Sequence, residues 1–427
     1  MDLSRRACSD IFPAFIVSTL IFFAGTLCAQ GQDSISASLH FQQTVIIQNH
    51  NRFRSPYSGL NSMASSEPPA LTVTSTFFFH ATIVNLLDGE LDPELAGGKG
   101  LSGSSGIAGF PNGEAYRVSE VAPKFELVRA YLHKTIKVDS SKQFDIVAGK
   151  FSINDYFDAN AYSSSPRTQF LNWALLNNGA WDYPADTRGY TGGVVIAYRF
   201  GESALRFATV MEPTSANGPD LDMHITKAHA EALEGETAYT FLNHDGKIRI
   251  LLFDNIANMG NYTEATVDTM FHHDITLTRQ FGRSKYGFGF NLEQSLGESA
   301  GGFLRVGWND GKNETWAYTE IDQTISGGIS YNFSLIKRPD DNLGVAFVIN
   351  GISAVHRAYL NSGGYGFIIG DGKLPHYGPE DIIEAYYLFQ LNKMFGISLD
   401  YQFVVNPAYN EDRGPVNIGA VRVHFEI

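Results

Sequence analysis

The sequence predicts an all-β fold: a transmembrane antiparallel β-barrel of about sixteen strands, with long loops folding into its lumen. Three observations predict it. Beyond residue 30 no apolar run approaches the roughly 20 residues that a membrane-spanning helix needs. Apolar and polar residues instead alternate with period two over stretches of about 10 residues, the length of a tilted spanning strand. The composition fits such strands, with 31 Phe, 20 Tyr and 42 Gly in 427 residues. Charged residues are only 18%, against roughly 25% in ordinary soluble chains.

The same arithmetic excludes other classes. A length of 427 residues suggests two or three domains at about 150 residues each, but the pattern runs unbroken as one barrel. A mean hydropathy of -0.12 leaves no room for a helix bundle in a membrane. An apolar fraction of 44% argues against disorder. The formal charge of -14 argues against a general binder of nucleic acid or anionic membrane surfaces.

Residues 1–29 read as a secretory signal peptide. Arg5 and Arg6 precede an apolar run from Ile11 to Leu27, broken by Pro13 and Ser18 and followed by small residues. Cleavage after Ala29 leaves a barrel domain at 30–427. Leu27 is too bulky for the signal that would lipidate Cys28. Removing the leader removes Cys8 and Cys28, and with them any disulfide, thiolate metal site or cysteine nucleophile.

Candidate strands fall near 37–48, 71–84, 125–136, 143–151, 190–200, 203–212, 231–242, 247–254, 271–281, 284–295, 301–309, 321–333, 342–350, 380–391, 395–406 and 414–427. The clearest is 395–406. Phe395, Ile397, Leu399, Tyr401, Phe403 and Val405 alternate there with Gly396, Ser398, Asp400 and Gln402, which puts all the apolar side chains on one face. Val421, Val423, Phe425 and Ile427 repeat the pattern in the last strand. An exposed apolar edge there would invite aggregation in water, whereas closing a barrel removes the edge. Hydrocarbon demands that closure, because every backbone N–H and C=O must be paired internally. About sixteen strands enclose a water-filled lumen rather than a packed core. Short turns such as Asn243-His244-Asp245-Gly246 and Lys393-Met394 alternate with long connections at 85–124, 152–189 and 351–379.

The segment 152–189 holds two of the four tryptophans, Trp173 and Trp181, with Asp155, Asp158, Arg167, Asp182, Asp186 and Arg188. Flat aromatic faces and planar hydrogen-bonding groups are what a sugar ring and its hydroxyls require. The segment is expected to fold inward and form a constriction. The alternative is a loop whose tryptophans pack its own small core. Arg129, Arg206 and Arg305 fall on the polar phase of their strands, as do Glu384 and Asp400. An arginine facing lipid costs several kcal/mol at mid-membrane, so these charges are expected in the lumen, as a ladder of opposed signs. The glycine-rich stretch 85–117, with Gly97-Gly98-Lys99-Gly100, lacks the order of a phosphate loop and is expected to form a lid near the mouth. Gly297-Glu298-Ser299-Ala300-Gly301 joins two candidate strands, where a nucleophile elbow needs a strand and then a helix. His272-His273 and the pair His224 and His229 lack ligand spacing.

Several ordered stretches resemble the carbohydrate-selective porins (OprB-like). They are Arg54-Ser55-Pro56-Tyr57-Ser58-Gly59, Glu94-Leu95-Ala96-Gly97-Gly98 continuing through 100–118, and Gly149-Lys150-Phe151. Tyr156-Phe157-Asp158-Ala159-Asn160-Ala161-Tyr162, Pro166-Arg167-Thr168-Gln169-Phe170, Asn172 to Gly189, and Asn406 to Val416 continue them. The resemblance covers most of 37–427. It implies an outer-membrane barrel that passes sugars by facilitated diffusion, with inward loops lining a narrow eyelet and no catalytic residues or cofactor. It maps the inward loop to 152–189 and makes Asp412-Arg413-Gly414-Pro415 a structural junction. Such barrels often end in Phe; here Ile427 stands last and Phe425 lies two residues in, which is expected to alter insertion signalling slightly.

The expected partners are saccharides and outer-membrane lipid, with no nucleic acid; a monomer and a homotrimer both stay open. A soluble periplasmic β-rich sugar-binding module and, behind it, a membrane-embedded barrel hydrolase are the alternatives. Gel mobility separates the first: a barrel shifts when boiled, and a soluble module runs at one position boiled or unboiled.

Overall fold

The computed structural model describes residues 35–83, 87–116, 122–267, 273–334 and 337–427. The expected leader, with Cys8 and Cys28, lies outside the described residues. Within them the strands are β1 Ile35–His50, β2 Ala70–Ile83, β3 Leu87–Gly98, β4 Lys124–Lys137, β5 Lys142–Phe151, β6 Thr191–Phe200, β7 Ser203–Met211, β8 His229–Phe241, β9 His244–Met259, β10 Gln280–Ser295, β11 Ala300–Asn309, β12 Gln323–Phe333, β13 Arg338–Gly351, β14 Glu380–Asn392, β15 Phe395–Val405 and β16 Val416–Glu426. Each pairs antiparallel with its chain neighbours. The sheet closes where β1 meets β16, from Gln42↔Glu426 to His50↔Ile418.

Period two sets the walls. In β15 Leu399 and Tyr401 are exposed outward while Ser398, Asp400 and Gln402 are buried inward. In β16 Val421 faces out and Arg422 and His424 face in. The expected strand at 271–281 is not one: its described part holds a 3-10 turn at Ile275–Thr278 before β10. The strand that was not expected is β3, where Leu87–Gly98 carries Pro93, four acidic residues and three glycines that break the pattern. Such residues weaken a strand signal. The ladder tolerates the proline because the register shifts between Asp92 and Pro93, and an irregularity spares the missing N–H.

Connections alternate between two lengths, as an antiparallel meander requires. Short turns occupy one end. Leu242 and Asn243, both at positive φ, form the β8–β9 turn two residues earlier than expected. The long connections gather at the other end: 51–69, 99–123, 152–190, 212–228, 260–279, 310–322, 352–379 and 406–415. Among the described residues they carry four short helices, α1 Gly113–Tyr116, α2 Trp173–Leu176, α3 Tyr262–Val267 and α4 Ala354–Asn361.

Several long connections turn inward and replace a side-chain core. Segment 152–190 bonds to walls all round the barrel. Asn172 reaches Gln402 on β15 at 3.2 Å, Asn160 reaches Asn291 on β10 at 2.8 Å, and Arg422 on β16 donates to Pro166 O at 2.7 Å. The wall makes room for it: a Cβ on Gly307 would sit 1.9 Å from Asn178 Oδ1, and one on Gly301 would strike the Tyr162 ring. The glycine-rich stretch is likewise no open lid. Ala108 and Gly109 donate backbone N–H to Glu380 at 2.9 and 2.8 Å, and Phe110 is fully buried; residues 117–121 lie outside the described residues. The 406–415 turn acts as a junction: Arg413 pairs with Asp371 at 3.3 Å and donates to Met63 O at 2.6 Å.

Three long connections are tied together through Asp322, which is fully buried. It accepts from Lys285 Nζ at 3.2 Å, and its other oxygen meets His356 Nδ1 of α4 at 3.0 Å and Ser353 N at 2.8 Å. Tyr262 of α3 stacks on the His356 ring at 4.1 Å. Burial pushes the His356 imidazole below its ordinary value although Asp322 pulls it up. Asp322, despite its own burial, is held below the usual carboxylate range by Lys285 and His356.

Two outcomes follow. Leu252 sits mid-strand on the outer face of β9, opposite Leu233 and Phe288. Leu252→Arg should cost about 2–4 kcal/mol at the bilayer midplane, read as a lower urea midpoint after refolding into vesicles. Both depressed values in the Asp322 tie leave the unfolded chain binding more protons. Its stabilisation is therefore present above the unfolded values and lost as pH falls below about 6.5, where an ordinary histidine charges. Proteolysis of the 352–379 connection should accelerate from pH 7.5 to pH 5, and His356→Gln should flatten that dependence.

Candidate functional site

Where the inward segments do not fill the lumen, a cavity of about 440 Å³ remains. Its walls come from two sides. The 152–190 segment supplies Asn154, Asp155, Asp158, Asn160 and Asn177; the barrel supplies Lys247 and Arg249 of β9 and Glu293 of β10.

The charges around it are paired. Arg129 of β4 grips Asp155 with two bonds of 2.8 Å and reaches Asp92 at 3.3 Å. This fork-to-carboxylate geometry fixes Asp155 at the cavity edge, where it stays partly exposed. Arg305 of β11 is fully buried against Asp158 at 3.1 Å and also donates to Leu175 O and Ser163 O at 2.7 and 2.9 Å. Along the wall, Arg206 of β7 pairs with Glu234 and Glu236 at 3.0 Å. Arg249 continues the row to Glu236 at 2.6 Å and Glu293 at 3.2 Å. Removing one partner from a buried pair such as Arg305 and Asp158 costs about 3–5 kcal/mol, so that pair holds the segment against the wall, while the Arg206 and Arg249 pairs tie neighbouring strands of the wall together.

The expected residues therefore divide. Asp155 and Asp158 line the cavity, and Arg129 and Arg305 position them. Arg206 belongs to the inward ladder two strands further round, on β7. Arg167 lies away from the cavity, buried against Glu94 at 3.2 Å and Glu114 at 3.3 Å. Asp182 accepts from Trp316 N and Ala317 N at 3.0 and 2.8 Å. Asp186 closes its own turn through Arg188 N at 2.9 Å, and the Arg188 side chain meets Glu126 at 3.0 Å. Glu384 accepts from Asn172 N at 2.9 Å, and Asp400, two pairs along at Tyr386, borders Gln402 at 3.3 Å. These groups anchor the segment and face no open space.

Trp173 and Trp181 are 4% and 1% exposed. Trp173 is stacked on Tyr318 at 4.3 Å and on Phe110 at 5.4 Å, with Tyr183 edge-on at 5.4 Å. Trp181 meets Tyr183 at 5.2 Å. Their faces are covered by protein, so the packing alternative describes them and a sugar ring has no access. A long segment needs apolar anchors of its own once it leaves the wall, and its tryptophans are the largest available.

Sequence reasoning missed Lys247, Arg249, Glu234, Glu236, Glu293, Asn160 and Asn177. The signal for Arg249 was present, since Lys247 and Arg249 alternate with Ile248 and Ile250 as Arg206 does with its neighbours. The asparagines carry no such signal, because their place depends on where the segment lands. Ser299 of the Gly-x-Ser-x-Gly string sits in the turn from β10 to β11, with no helix after it. His224 and His229 pair separately with Asp222 and Glu231, at 2.8 and 3.3 Å. His272 lies outside the described residues.

The fold matches known barrels. Pseudomonas putida OprB, in its high-pH structure, superposes with a TM-score of 0.68 at 12% identity, over 92% of this chain and 94% of that one. The outer membrane channel DcaP of Acinetobacter baumannii gives 0.53 at 8% identity, over 95% and 100%. No curated protein sequence matches. The sequence model described as carbohydrate-selective porin, OprB family, matches residues 83–427, and with the inward segment and closed sheet in place, the chain belongs to that family.

Proposed function

We propose that this porin lies in the outer membrane of a Gram-negative-type cell, exported by residues 1–29. Its long connections then face outward and its short turns face the periplasm. Mono- and oligosaccharides move passively down their gradient through the barrel, along the side of the lumen that the 152–190 segment leaves open. The observation that carries this reading is the family match over 83–427 on a closed sixteen-stranded barrel. The lumen chemistry supports it. Fixed carboxylates and guanidinium groups beside asparagine amides offer paired donors and acceptors to vicinal hydroxyls without a deep binding well. Weak, repeated contacts of that kind let a sugar enter and also leave. The reading needs no cofactor and no energy input, and each barrel has its own passage whatever its oligomeric state.

In this reading Asp155, set by Arg129, is the expected residue that meets the sugar, while Trp173 and Trp181 act by holding the segment in place. Purified protein in a planar bilayer should conduct, and liposomes that carry it should swell in monosaccharide; silence in both assays rejects the pore. Trp173→Ala empties a stacked site, with a cost of about 3–5 kcal/mol, and should give larger, noisier conductance as the segment loosens. Loss of sugar block at unchanged conductance would instead return the tryptophans to the sugar path.

A further inference from the structure

Every charge on the wall of the 440 Å³ cavity but one is matched by an opposite charge of the protein. Every carboxylate oxygen on its wall already accepts from the protein. Asp155 takes both its bonds from Arg129. Asp158 Oδ1 takes Asn291 Nδ2 at 2.6 Å, and its Oδ2 takes Asn178 N at 2.7 Å. Glu293 Oε2 takes Ala161 N at 2.7 Å and Oε1 takes Arg249 at 3.4 Å. Asn160 is spent on both sides, accepting from Tyr162 N at 2.9 Å and donating to Asn291 at 2.8 Å.

The charge without a partner is positive. Arg249 Nη1 is buried against Glu293 Oε2 at 3.2 Å. Lys247 is exposed to the cavity and, among the described residues, has no carboxylate within ion-pair distance. An unneutralised ammonium beside paired carboxylates matches an acceptor that carries negative charge.

We propose that this cavity is a subsite for the carboxylate of an acidic saccharide, a uronate or aldonate, with Lys247 as the residue that sets the preference. The proposal rests on the reading that sugars pass along this side of the lumen. It places an anion-selective step inside a chain whose net charge is -14, and it makes the selectivity local rather than a property of overall charge. Lys247 would supply the charge that meets the sugar carboxylate.

The test is block of single-channel current in planar bilayers by glucuronate, glucose, glucose 6-phosphate and acetate, using the full-length protein. Glucuronate should block at about tenfold lower concentration than glucose, the factor that one charge-assisted hydrogen bond supplies. Lys247→Gln should remove that difference and Lys247→Arg should keep it. Equal block by glucuronate and glucose in the unmodified protein overturns the proposal, as does a preference that survives Lys247→Gln. Acetate blocking as well as glucuronate would show a general anion site, and glucose 6-phosphate blocking better would assign the site to phosphate esters; either result rejects the sugar carboxylate. Block by no sugar in a conducting channel overturns the subsite, whereas absence of both conductance and swelling rejects the underlying pore reading instead. Lys247→Gln channels are scored only where boiling shifts their gel mobility, so a folding failure is not read as a loss of preference.

Discussion

A peptide group cannot be left unpaired in hydrocarbon, and almost everything else in this molecule follows from that constraint. It forces the sheet to close, with β1 bonded to β16. Closing a sheet of sixteen strands makes a tube wider than its own side chains can fill. The interior must then be occupied by backbone, and backbone in a lumen needs partners. The 152–190 segment finds them in asparagines, arginines and carboxylates on the inward phase of the strands. The same arginines that lipid would reject become the clamps that hold the constriction.

That chain of dependence explains the division of labour among the charges. A ladder of opposed signs is present, but most of its rungs are structural. Glu384 and Glu380 bind backbone N–H groups, and Arg305 and Arg422 bind backbone carbonyls. Where the segment stands off the wall, between Asp155 and Lys247, polar surface is left for a solute. Selectivity in such a pore depends on what packing leaves over.

The barrel itself was legible because alternation is a local property of sequence: a lipid face and a water face are written two residues apart. Where the alternation is spoiled it was not. β3 escaped notice behind Pro93, Gly89 and its acidic residues, whereas 271–281 read as a strand because its apolar residues happen to alternate before the true β10. The two errors cancel, so the strand total was right for partly the wrong reason. The inward path of 152–190 was legible from its length and aromatic content. The role of its tryptophans was not, since Trp173 could stack on a sugar or on Tyr318 with the same residue type, and only the placement of 310–322 decides between them. Lys247 matters through a partner it lacks, and a missing partner leaves no trace in one dimension.

The closing pair has a consequence for how the molecule comes into being. Strands β2 to β15 can find their neighbours as soon as these are made, but β1 must wait for β16, so every shorter intermediate carries two raw edges. Hydrocarbon cannot host such a ribbon, and water would let the edges of two ribbons join. The chain must therefore be kept apart from its siblings until both edges exist, and then enter the bilayer in the act of joining them. Closure comes last, with the pairing of the first strand and the last, and whatever machinery delivers the chain has to shield a partner strand, not merely an apolar surface.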